Sequence, residues 1–375
     1  MAFVPPKERD HAITPEGRAL ILEMPERIGR VRAAIAQRIL GQERTVEQVL
    51  TCFIAGGHAL IVGVPGLAKT LLIRTLGELL DLEFSRIQFT PDLMPSDISG
   101  TTLLVRNDAT GRREFRFRPG PIFSNLLLAD EINRTPPKTQ AALLEAMEEY
   151  QVTVAGQRHG LTRPFFVLAT QNPIEQEGTY PLPITQLDRF QFQIDIDYPA
   201  FETEFEVVAS TTSTLSTRLD PILDKAQVLQ LLSLPRKLVV PDAIVARASR
   251  LVRATRPDEG TPCDAARDWI SWGAGPRAVQ AILNAARARA VMSGRLEVTA
   301  EDYEEVLVPA LRHRVVLNYH AEAEGVTPDQ VLASLRTQIG DARAPVERPA
   351  ESRSSRLMAW INSWGDPAPR FRRSP

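Results

Sequence analysis

Two stretches of this chain carry residue types at the spacing that phosphoryl chemistry needs. The first is Gly63, Val64, Pro65, Gly66, Leu67, Ala68, Lys69 and Thr70, followed by Leu71. A loop of this kind aims backbone N–H groups and a helix N-terminus at phosphate oxygens. Its lysine neutralises the outer phosphates, and its threonine hydroxyl can ligate magnesium. Ala68 stands where the usual pattern has a second glycine, and alanine has less backbone freedom there. In the second stretch, 125–131, an apolar run ends in Asp130 and Glu131. Asp130 is placed to hold magnesium and Glu131 to orient and polarise an attacking water. An acidic strand-to-helix cap would produce the same pair. Asn172 closes a third apolar run; alone, an asparagine before proline is more often a turn residue.

These side chains need a sheet to bring them together. The run 59–62 reads as a strand ahead of the loop, with a helical pattern after it, and further strands are expected at 84–89, 125–131, 165–171 and 190–196. Strand tips of an open α/β sheet are where ligands bind, so tips near Gly63, Asp130 and Asn172 would line one crevice. Helical spacing covers 15–39, and a second helix runs to about residue 55 after a break at Leu40, Gly41 and Gln42. Two hairpins interrupt the α/β pattern. One flanks the turn-forming residues 107–111, and the other spans 150–162. On the first, Arg112, Arg113, Arg116 and Arg118 interleave with Phe115 and Phe117. That pattern suits nucleic acid by stacking and phosphate contact. It equally describes a half-buried hairpin with a solvated face, the reading the global charge favours.

The chain has 44 basic and 46 acidic residues, a net charge of −2, so nothing global asks for nucleic acid or a membrane surface. Cys52 and Cys263 are too few and too far apart for a disulfide framework or a zinc site, and are expected to be core residues. The opening residues lack a long apolar region and no run approaches a membrane span, so the expected location is the cytoplasm. After Tyr198 and Pro199 the pattern turns helical to about residue 339. Within it Arg277 falls in the first turn of a helix opened by Gly275 and Pro276, where the dipole disfavours a cation. An anion facing it would explain the placement. Arg189 is either an ion-pair partner or a phosphate ligand. From 344 onward proline, arginine and serine dominate, as in a mobile tail. Inside that tail Leu357, Trp360, Ile361 and Trp364 sit at helical spacing and are expected to fold onto the chain's own surface.

The succession of motifs resembles the MoxR-type ATPases of the AAA+ class. The loop 63–70 looks like that family's phosphate loop, alanine included, and 130–140 looks like its magnesium and catalytic segment. The stretch 172–183, followed by Leu187, Asp188, Arg189 and Phe190, is the most specific part. One departure is Ile184-Thr185, where the family usually has Glu-Ala.

The resemblance implies an α/β fold: an AAA+ P-loop core with a five-stranded parallel sheet, then an all-helical lid domain. The expected domains are 1–200, 201–343 and a tail at 344–375. It also implies that Asn172 is sensor one, Arg189 an arginine finger reaching a neighbouring subunit, and Arg277 sensor two. Gly41 and Gln42 would lie beside the adenine. The nucleotide would be ATP, with Mg2+ held by Thr70 and Asp130. Catalysis would fall to Lys69, Glu131, Asn172, Arg189 and Arg277. Both hairpins would face the pore of a ring, with six subunits the expected number. A client protein and a partner with a von Willebrand factor A domain are implied. The competing readings are a DNA-acting or chelatase-like motor, separable by stimulation with DNA or a porphyrin-metal partner, and a nucleotide-dependent scaffold, separable by its negligible turnover.

Overall fold

Five of the apolar runs pair into one parallel sheet. In chain order the strands are β1 (Ala59–Gly63), β2 (Phe84–Gln88), β3 (Gly100–Arg106), β4 (Arg113–Pro119), β5 (Leu126–Asp130), β6 (Gln151–Val154), β7 (Gln157–Gly160), β8 (Phe166–Gln171), β9 (Phe192–Ile196), β10 (Ile270–Trp272) and β11 (Val316–Leu317). The sheet order is β2-β5-β8-β1-β9. A parallel sheet covered on both faces is made of continuous apolar strands, and β5 and β8 are buried along nearly their whole length. The register sets Gln88 beside Asp130 and Val62 beside Gln171, so the C-terminal tips of β1, β2, β5 and β8 share one edge. In this computed structural model residues 13–106, 112–173, 178–211, 219–257 and 263–340 are described. The expected turn at 107–111, part of the 172–183 motif, the opening residues and the tail with Leu357, Trp360, Ile361 and Trp364 lie outside them.

The helices up to residue 211 are α1 (Pro15–Ala36) and α2 (Glu43–Ile54) ahead of the loop, then α3 (Lys69–Leu79), α4 (Pro95–Ser99), α5 (Pro137–Glu149), α6 (Ile184–Leu187) and α7 (Phe201–Thr211). Thr14 caps α1, its hydroxyl accepting from Gly17 N–H at 3.1 Å. Leu143, Leu144 and Met147 of α5 are buried against one face of the sheet with Ile87, Leu127 and Val167. The opposite face packs on α1, α2 and α3 through Ile28, Leu50, Leu72 and Leu76.

The C-terminal helices are α8 (Lys225–Ser233), α9 (Asp242–Ala254), α10 (Asp264–Trp269), α11 (Pro276–Met292), α12 (Ala300–Leu311), α13 (Tyr319–Ala323) and α14 (Pro328–Gly340). Asp224 and Thr299 open α8 and α12 with reciprocal capping boxes. Among its described residues the region departs from an unbroken helical pattern at the isolated bridge Val239↔Glu297 and where β10 and β11 pair antiparallel. They are three and two residues long, too short for a period-2 pattern to register in the sequence. The apolar side chains of α11 and α12 join those of α1 and α2 in one continuous core.

The first hairpin departs from expectation. β3 and β4 pair antiparallel from Gly100↔Pro119 to Arg106↔Arg113, but the ribbon is not half buried. Phe117 stacks on His159 and meets Phe123 edge-on, whereas Phe115 is 79 % exposed. A two-stranded ribbon has no second layer to cover both faces, and only the Phe117 side finds neighbours.

Candidate active site

The chain turns sharply from β1 into α3, and three backbone details shape the turn. A Cβ on Gly63 would lie 2.6 Å from the carbonyl oxygen of Ile196, so the close approach of β9 excludes any side chain there. Gly66 has φ +89°, which a side chain would strain. Ala68 takes φ +52°, in the left-handed region, at the N-cap of α3. An alanine in that conformation costs about 1–2 kcal/mol, and this is the position where the sequence departs from the usual glycine.

Around this turn lies a cavity of about 500 Å³, lined by Gly63, Pro65 to Leu71, Asp130, Glu131, Thr170, Gln171 and Asn172. Val64 does not line it. Lys69 folds back so that its ammonium donates to Gly63 O. Burial lowers the Lys69 pKa, while Asp130 and then Glu131 oppose that shift. The cradle is therefore a half-buried cation at a helix N-terminus facing two carboxylates. That donor set suits a triphosphate with magnesium, an ion bound by few protein ligands plus phosphate oxygens. Among the described residues no cluster of three or more His, Cys, Asp or Glu forms an all-protein metal site. Gln42, just before α2, donates its Nε2 to Leu67 O at 2.9 Å and so braces the loop from behind. Gly41 has φ +72° and abuts Thr203 of α7.

The two carboxylates are held differently. Asp130 accepts from Thr170 Oγ1 at 2.6 Å on one oxygen and from Arg86 Nη2 and Nε, at 2.6 and 3.1 Å, on the other. Glu131 adopts φ +58°, a left-handed conformation uncommon for a residue with a side chain. Its backbone N–H donates to Thr170 Oγ1, and its carboxylate accepts from Gln88 Nε2 at 2.6 Å and pairs with Arg134 at 3.3 Å. Asn172 is 8 % exposed at the tip of β8. Arg86, Gln88 and Thr170 were not singled out from the sequence. The available signal was alternation: Arg86 and Gln88 fall on one face of β2, beside a strand that ends in acids.

Arg189 and Arg277 are not part of this cavity's lining. They line a separate cleft and share Glu148 of α5. Arg277 Nη2 lies 2.8 Å from Glu148 Oε1, and Arg189 Nη1 lies 3.0 Å from Oε2. Arg189 also donates to Leu144 O at 2.7 Å. Asp188 lies 3.9 Å from Arg277 and is bound by the buried Arg314 at 2.7 Å. The anion facing Arg277 in the first turn of α11 is thus a side chain of its own chain. Glu148 in turn occupies the last turn of α5, where the helix dipole disfavours an anion.

Residues 58–192 match the ATPase family associated with various cellular activities (AAA), and residues 264–335 match the AAA lid domain. The chain is 41 % identical over 322 residues to Chaperone MoxR1 of Mycobacterium tuberculosis, covering 86 % of this chain and 84 % of that protein. It belongs to the MoxR-type AAA+ ATPases. The uncharacterized protein YeaC of Bacillus subtilis is 38 % identical over 324 residues, covering 86 % of this chain and 96 % of YeaC. A crystal structure of a candidate ATPase from Cytophaga hutchinsonii superimposes with a TM-score of 0.79 at 39 % identity, covering 86 % of this chain and 97 % of that one. The parallel sheet and helical lid are those of the AAA+ fold, and MoxR-type membership carries nucleotide binding with it. No helix among the described residues is long and apolar enough to cross a membrane.

Proposed function

We propose that this chain hydrolyses ATP with magnesium at sites shared between subunits of a ring, and uses the cycle to remodel a client protein. The observation that carries the proposal is the division of the site. Lys69, Thr70, Asp130, Glu131 and Asn172 surround one cavity, while Arg189 and Arg277 present their cations together elsewhere. Loop N–H groups and Lys69 bind the phosphates. Thr70 and Asp130 would hold the magnesium, which when bound would supply positive charge against the phosphates. Glu131 and Asn172 orient the water, and Glu131 accepts its proton. Arg189 and Arg277 then complete a neighbour's pocket, where an arginine on the transferred phosphoryl group is worth roughly a thousandfold or more in rate. A hexamer, a cytoplasmic setting, a boundary near residue 200 and a von Willebrand factor A domain partner follow from the family resemblance. The client-remodelling role is supported by the relative named a chaperone.

The test uses three variants. Lys69→Ala should lose ATP binding, Glu131→Gln should bind and not hydrolyse, and Arg189→Ala should bind and hydrolyse very slowly. Mixing Lys69→Ala with Arg189→Ala should restore part of the activity, because some interfaces pair a sound pocket with a sound arginine. No rescue at any ratio, with subunit exchange demonstrated, would place Arg189 in its own subunit's site.

A further inference from the structure

We infer that Glu148 is a positioning residue that yokes Arg189 and Arg277 into one bidentate unit for a neighbour's terminal phosphate. The inference deepens the proposed function and rests on its shared-site reading. Its first support is an inversion of charge. Glu148 lies in the last turn of α5 and Arg277 in the first turn of α11, and each helix end would be better served by the opposite sign. The two misplaced charges meet at 2.8 Å. Helix stability alone gives no reason for that arrangement, since exchanging the two residue types would suit both dipoles.

The second support is the geometry of the fork. One carboxylate oxygen serves each arginine, so two cations that would otherwise repel are held side by side. Both remain open to a partner: Arg277 is 53 % exposed and Arg189 31 %. Arg189 Nε, although buried, makes no hydrogen bond among the described residues. Asp188 cannot replace Glu148 in this role, because its nearer claim is on Arg314, which is almost fully buried.

Orientation of a catalytic group acts on turnover, whereas nucleotide affinity in the same subunit depends on the other cavity. Glu148→Gln keeps the shape and removes the charge. In the uniform ring it should lower kcat roughly 10- to 100-fold, the range expected for losing charge-assisted hydrogen bonds, while nucleotide affinity stays within about twofold. Glu148→Asp, a methylene shorter, should recover only part of the rate.

The discriminating experiment adds Glu148→Gln to one chain of the mixed rings at a time. On the arginine-donating chain, Lys69→Ala, it should cut the rescued rate by that full factor. On the pocket-donating chain, Arg189→Ala, the loss should be several-fold smaller. Equal losses on the two chains, or none on the arginine donor, overturn the positioning role while leaving the shared site standing. Absence of rescue in the parent mixture overturns the shared-site reading and this inference with it.

Discussion

Lowering the pH from 8 to 5 should destabilise this protein through His58. The side chain is 5 % exposed, wedged between α5 and β8 beside Phe165 and Phe166. Val167 N–H donates to Nδ1 at 3.0 Å, so Nδ1 carries no proton, and Nε2–H donates to Met147 O at 3.2 Å. Protonation would set a second N–H against that of Val167 in a water-free site. Burial accordingly lowers the His58 pKa to about 4 from an ordinary 6.5, with the Met147 hydrogen bond a smaller opposing effect. Between those two values the unfolded chain binds the proton and the folded one does not, so stability rises with pH across the window. The full contribution is present above about 6.5 and is lost as pH falls toward 4. At pH 5 the loss from this one residue is about 2 kcal/mol. His313, also buried and also lowered by burial and by Arg314, adds in the same direction. Urea unfolding of wild type and His58→Phe at constant ionic strength measures the effect. The variant is expected to be less stable at pH 8, where Val167 N–H loses its acceptor, and to close most of that gap at pH 5. A gap that stays constant from pH 8 to 5 would refute the reasoning.

Three further outcomes are expected. Arg86→Ala removes a cation from Asp130 and should lower the magnesium concentration for half-maximal ATPase activity about three- to tenfold, read by a magnesium titration; a higher requirement would mean Arg86 aids metal binding. Gln88→Ala leaves the Glu131 carboxylate held by Arg134 without its Gln88 hydrogen bond and should reduce kcat about three- to tenfold with ATP affinity unchanged, so weakened nucleotide binding would count against a role confined to the water. The exposed arginine-rich hairpin should not give DNA or RNA binding at physiological salt; tight binding with a steep salt slope would favour a motor on nucleic acid.

How much of this was readable beforehand follows from sequence distance. Gly63 to Thr70 is a contiguous signal, and Asp130 with Glu131 ends an apolar run, so the phosphate side of the cavity could be named from residue types. Gln88 and Arg86 could not, because their meaning depends on the β2-β5 register, which no local pattern states. Arg277 was legible as a cation in an unfavourable place. Its partner was not, since Glu148 lies 129 residues earlier and reads as one acid among several at a helix end. The hairpin misled for a related reason: alternation reports that a strand has two faces, not that anything covers them.

The core common to α1, α2, α11 and α12 has a mechanical consequence. The alanine-lined face of α11, including Ala281, Ala285 and Ala288, is sealed against neighbours on both sides. Gln191 ahead of β9 also grips Ala281 O at 2.7 Å, and Arg314 ties the segment after α12 to Phe190 O. Close-packed interiors transmit strain rather than absorb it. Swinging these helices away from the sheet would open an apolar seam to water along their length. From α1 to α12 the described helices and the sheet are therefore held as one stiff body, in which a push on either end is felt at the other.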